Sequence, residues 1–241
     1  MIKDELKKLE NKEQAKILSY FFKTGKGQYG EGDIFLGIKV PQSRMVAKNN
    51  LNASFKELQD LLDSGIHECR LTALLILVEN FKKEEDEEIV EFYLKNLKNI
   101  NNWDLVDLSC PNILGKYLLN RDRKILYDLA CSENLWKKRI SIVSTYFFIK
   151  NNDFKDTMKI SKILLKDEHD LIHKAVGWML REVGKRDEKL LIAFLEKEYY
   201  NIPRTTLRYA IERLEEPKRK YFLNKKHQNF IDLTSENIFK K

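Results

Sequence analysis

Trp103 and Asp107 stand four residues apart in Asn101-Asn-Trp-Asp-Leu-Val-Asp107, a spacing that places both on one face of a helix. An aromatic plate beside a carboxylate suits a cationic ligand, because the ring face attracts positive charge and the carboxylate neutralises it. Arg139 and Trp178 lie near the starts of two later segments of the same kind. The plain alternative makes both tryptophans core residues and Asp107 a helix cap. His169 and His173 share the spacing of two metal ligands on one helix face, but no third ligand is close in sequence, and we expect no metal. Gly25, Gly27, Gly30, Gly32 and Gly37 crowd into residues 24–38 without phosphate-loop spacing or a preceding strand. That segment reads as a flexible loop.

These residues need a scaffold, and the pattern for one is repetitive. Apolar residues recur at helical spacing along nearly the whole chain, with no sustained alternation of period two. The run Leu71–Val78 is too apolar for a surface helix and reads as a buried one. Charged residues open strong helical segments at Arg70, Asp104, Arg139 and Lys174, roughly 35 residues apart, and Thr205 opens another slightly sooner. Shorter amphipathic helices lie between them, over 87–97, 123–129, 155–165 and 188–197. A helix is also expected to start at Pro41, and the acidic run Glu84–Glu88 fits a helix beginning, where negative charge complements the dipole. The expected fold is all-α, a solenoid of stacked helical hairpins with one helix of each pair lining a concave side. Stacking would gather Trp103, Asp107, Arg139 and Trp178 on one surface.

Composition narrows the partners. The 241 residues include 44 Lys+Arg and 37 Asp+Glu, a net charge of +7. From Pro203 onward there are ten basic residues, among them Arg204 and Arg208, against five acidic ones. A basic patch at one end is therefore expected, suited to a phosphate backbone. Nine Gly and four Pro argue against a turn-rich β fold. Cys69, Cys110 and Cys131 form no CxxC pair, which excludes a disulfide framework and a cysteine zinc site. The N-terminus shows no signal-peptide pattern, and no apolar run reaches the ~20 residues of a membrane helix. A cytoplasmic monomer with no membrane partner is expected.

Several motifs resemble one family. Residues 101–107, Glu-Asn-Leu-Trp-Lys-Lys-Arg (133–139) and Lys-Ala-Val-Gly-Trp-Met-Leu-Arg-Glu (174–182) resemble signature segments of the AlkD-like DNA alkylation-repair glycosylases. So do Phe-Leu-Gly-Ile-Lys-Val-Pro (35–41) and Pro-Arg-Thr-Thr-Leu-Arg-Tyr-Ala-Ile-Glu (203–212). The resemblance runs in order from about residue 10 to residue 222. It implies HEAT-like repeats forming one domain over 1–223, followed by a basic tail over 224–241. It also implies a basic concave groove that grips duplex DNA and hydrolyses the N-glycosidic bond of purines alkylated at N3 or N7. The family needs no cofactor and does not require base flipping. The resemblance assigns Asp107 as the catalytic carboxylate, Trp103 and Trp178 as the residues flanking the lesion, and Arg139 as a phosphate contact. Arg204 and Arg208, one turn apart, are further candidates for phosphate. Some relatives carry a second tryptophan where this chain has Asn102, and Phe21 and Phe22 are candidate neighbours of the lesion. The competing reading is a non-catalytic repeat protein that binds DNA structure, or a protein-interaction scaffold.

Overall fold

A computed structural model describes residues 1–225; most of the expected basic tail lies outside the described residues. Four helices open the chain: α1 (Ile2–Lys7), α2 (Lys12–Phe21), α3 (Val40–Asn49) and α4 (Phe55–Leu62). They lead into α5 (His67–Lys83), α6 (Glu87–Lys95) and α7 (Trp103–Ser109), which runs on into a π-helical turn over Pro111–Gly115. The remainder comprises α8 (Lys124–Ala130), α9 (Leu135–Ser144), α10 (Tyr146–Lys150), α11 (Lys155–Leu164) and α12 (Asp170–Gly184), then α13 (Glu188–Glu198), α14 (Arg204–Ala210) and α15 (Glu216–Asn224). No strand occurs among the described residues; a single bridge pairs Ile34 with Ile66.

The expected repeat is present. α5, α7, α9, α12 and α14 pack in succession, each against the next, as the inner row of an α-solenoid. The intervening amphipathic segments are α6, α8, α11 and α13, close to their expected bounds. Local chemistry explains several of the helix starts. Asn102 caps α7, Asn134 caps α9 by accepting from the Trp136 and Lys137 backbone N–H groups, and Asp187 caps α13. Such caps stabilise a helix start by about 1 kcal/mol each. Pro41 sits in the first turn of α3, where its missing N–H costs nothing.

Burial explains why the row holds. Every residue from Leu71 to Val78 is at most 2% exposed, so this stretch of α5 is enclosed on all sides. Each large side chain buried this way contributes about 1.5–3 kcal/mol. Where α12 meets α14 the backbones come too close for any side chain. A Cβ at Gly177 would lie 2.5 Å from the Tyr209 Cβ and 2.6 Å from the Thr206 carbonyl oxygen. Gly177→Ala is expected to force α12 and α14 apart and cost about 1–3 kcal/mol, read as a lowered Tm. An unchanged Tm would show that this contact tolerates spreading. No helix among the described residues is long and apolar enough to cross a membrane.

Candidate active site

Four inner helices (α7, α9, α12 and α14), the end of α2 and the glycine segment meet around one cavity of about 790 Å³. Trp103 and Asp107 come from α7, Arg139 from α9, and Lys174, Trp178 and Arg181 from α12. All four residues singled out by type and spacing therefore share one cavity. The tryptophans are half-buried rather than core. Phe22 stacks on Trp103 at 5.1 Å between centroids, with the planes 17° apart, and Phe21 meets the same indole edge-on. Tyr146 supports Trp178.

Asp107 is not a helix cap. Its carboxylate accepts two parallel bonds from Arg139, 2.9 Å from Nε and 2.8 Å from Nη2. The third bonded donor of Arg139, Nη1, reaches the Leu171 carbonyl oxygen at 2.6 Å. This fork fixes the carboxylate in place and leaves two guanidinium N–H groups for another acceptor. Arg139 was expected to grip phosphate; its first task here is to hold Asp107, because the residue is only 5% exposed. Burial lifts the Asp107 carboxyl above its ordinary range, with Arg139 pulling it down and Asp104 adding to the rise.

Arg204 and Arg208 are placed differently. Neither lines the cavity; Arg204 donates to the Leu223 carbonyl oxygen on α15, and Tyr209 is the α14 residue that faces inward. Other basic residues beyond Pro203 also have acidic partners, Lys218 with Glu188, Arg219 with Glu216 and Lys225 with Glu196. The cations on the cavity wall are Lys23, Arg139, Lys174 and Arg181, of which the last two pair with Asp170 and Glu212. The histidine pair holds nothing jointly: the His169 ring caps α12 and His173 bonds the Asp167 carbonyl oxygen. No group of three metal-ligating side chains occurs among the described residues.

The glycine segment is an anchored wall, not a free loop. Glu68 on α5 accepts from the backbone N–H groups of Leu36, Gly37 and Ile38. Gly37 has φ +84°, and a Cβ there would lie 2.1 Å from the Asn11 carbonyl oxygen. The segment delivers Tyr29 to the cavity, where it joins Trp103 in the lining. Beneath it, His67 bonds Asp33 at 3.1 Å and Asp104 at 2.8 Å, while Arg70 pairs with Asp33 at 2.6 Å. Asn102, fully buried, caps Trp103 and also donates to Asp33. Sequence reasoning missed this cluster. Its one signal was a histidine, a glutamate and an arginine within four residues at the head of a helix too apolar to expose them.

A solved structure from Enterococcus faecalis, described as a predicted DNA alkylation repair enzyme, matches with a TM-score of 0.71 at 19% identity. The match covers 86% of this chain and 97% of that one, and at this identity it establishes the fold. No curated protein matches the chain. A family model of DNA alkylation repair enzymes matches residues 2–214. The chain belongs to the DNA alkylation repair enzyme family.

Proposed function

We propose that this chain is a DNA glycosylase that hydrolyses the N-glycosidic bond of cationic N3- or N7-alkylated purines in duplex DNA, with no requirement to turn the base out of the helix. The observation that carries the reading is one cavity lined together by Trp103, Asp107 and Trp178, with Asp107 forked by Arg139. A scaffold would have no use for a fixed carboxylate that shares a cavity with two half-buried indoles.

The alkylated purine enters the reaction already positive. As the C1′–N bond lengthens, its electron pair goes to the purine nitrogen, the base becomes neutral, and positive charge appears on the sugar. The Asp107 carboxylate stabilises that charge, and because Arg139 already holds it, little reorganisation is needed. Water, oriented by Asp107, then bonds to C1′, and its proton passes to the Asp107 carboxylate and on to solvent. The faces of Trp103 and Trp178 attract the cation and exclude bulk water. In this reading Lys23, Lys174 and the two remaining donors of Arg139 meet backbone phosphates, with Arg204 and Arg208 as contacts on the flank. No metal or organic cofactor enters the scheme.

Charge on the lesion gives the test. Duplexes carrying a cationic N7-methylguanine should lose the base, whereas duplexes carrying neutral O6-methylguanine should bind and keep it, read as free base by chromatography. Equal release from both, or from neither, contradicts the reading. Because the carboxylate must be ionised, release should fall on the acid side at a pH above the ordinary carboxylate range of about 4. An acid limb at or below that range would mean that a different group controls the step.

A further inference from the structure

The buried cluster under the site has no part in the scheme above, yet it joins both walls of the cavity. His67 opens α5 and its side chain is 2% exposed; Asp33 and Asp104 are nearly as enclosed, at 3% and 9%. Nδ1 faces the Asp33 carboxylate and Nε2 faces the Asp104 carboxylate. A neutral imidazole has one N–H and one lone pair, and a lone pair cannot face a carboxylate oxygen favourably. Satisfying both contacts requires both N–H groups, so the geometry itself calls for the cation.

Asp33 belongs to the segment that carries Tyr29, and Asp104 lies between Trp103 and Asp107 on α7. The His67 ring stacks on Phe35 at 4.5 Å and lies 5.1 Å from Phe22, the same ring that stacks on Trp103. We propose that His67 is a positioning residue: as an imidazolium donating to Asp33 and Asp104 at once, it locks the Tyr29 wall onto the helix that bears Trp103 and Asp107. The proposal deepens the glycosylase reading in its catalytic consequence and rests on that reading there; the lock itself does not.

The charged groups around the ring fit this role. On its own helix Arg70 neutralises Asp33, and Glu68 is bound by three backbone N–H groups of the glycine segment. From α7 come Asp104 and, one turn later, Asp107; from the glycine segment, Asp33; Asn102 adds a neutral donor. Burial opposes the charged ring, but Asp104 and then Asp33 outweigh it and hold His67 up at about 9. A raised value means that the lock is fully present below the unfolded histidine range of about 6.5. Its contribution to stability then declines as pH rises toward 9 and is gone above it.

The test uses the full chain with His67→Gln, whose donors sit on one nitrogen while its other polar atom only accepts, and His67→Arg, which keeps a cation with several donors. In wild type, two-dimensional ¹H–¹⁵N NMR should show both ring N–H groups at neutral pH, with one of the two lost near pH 9 as the ring becomes neutral. Hydrogen exchange over residues 24–33 should quicken in His67→Gln and stay slow in His67→Arg. Base release under single-turnover conditions should fall about 100-fold in His67→Gln, the scale of a misplaced site, and recover in His67→Arg. A ring nitrogen without a proton at pH 7, or unaltered exchange over 24–33 in a folded His67→Gln, would overturn the lock. Release that falls equally in both variants, in step with Tm alone, would reduce His67 to a general stability residue and overturn the positioning role. If wild type releases no base, the glycosylase reading fails, while the NMR and exchange results still decide whether His67 joins the two walls.

Discussion

Asp107→Asn is expected to lower base release by about 10²–10³-fold, the scale of losing one electrostatic stabiliser, while affinity for duplex DNA changes little. The substitution keeps the shape of the side chain and removes its charge. Affinity comes mainly from cations meeting phosphates, and Asp107 contributes nothing to that. The rate depends on a negative charge beside a sugar that becomes positive, which the amide cannot supply. Arg139 loses its charged partner, so a modest fall in Tm accompanies the loss of rate and is measured alongside it. Single-turnover release and fluorescence anisotropy on the same duplex separate the effects. A rate retained within a few-fold would remove Asp107 from the chemistry.

Arg139→Ala should be the most damaging substitution to the fold of the site. It deletes a two-point fork to Asp107 and the bond to the Leu171 carbonyl oxygen in one step. The carboxylate left behind is partly exposed, its side chain at 16%, which lets water relieve some of its isolation. Breaking a buried pair by removing one partner costs about 3–5 kcal/mol, so a loss near 3 kcal/mol is expected here, or roughly 6–12 °C in Tm. Asp107 would also protonate more readily without the guanidinium, so release should fall together with stability. In an Asp107→Asn background the same Arg139→Ala change should cost clearly less, because the charge it would strand is absent. Additive losses in that cycle would show that the fork carries no coupling. The salt slope of DNA binding should drop by no more than the equivalent of one phosphate contact.

Local signals carried much of this architecture. A charged residue followed by an apolar run marked α5, α7, α9 and α12, Thr205 marked α14, and the spacing of those starts predicted the inner row that α5 to α14 form. Stacking those helices in register is what brings Trp103, Asp107, Arg139 and Trp178 to one cavity. The fate of Arg204 and Arg208 was not legible, because it depends on how a seven-residue helix is rotated. Adjacent residues are about 100° apart around a helix. Tyr209 faces the cavity, and its neighbour Arg208 therefore does not. The glycine segment was illegible for a different reason. Its partners, Glu68, His67 and Arg70, lie about thirty residues further along, and no local pattern announces contacts of that range. Glycine content alone suggests freedom, whereas here it permits the close approach at Gly37.

The central claim is that this cavity removes a cationic base from duplex DNA. The most direct measurement mixes excess wild-type protein with a duplex bearing a single N3-methyladenine or N7-methylguanine and follows free base and abasic sites together. The account predicts both products in equal amounts, appearing far faster than spontaneous loss at the same pH and temperature. Tight binding with base lost only at the spontaneous rate would contradict it and leave a protein that holds alkylated DNA without cutting the glycosidic bond.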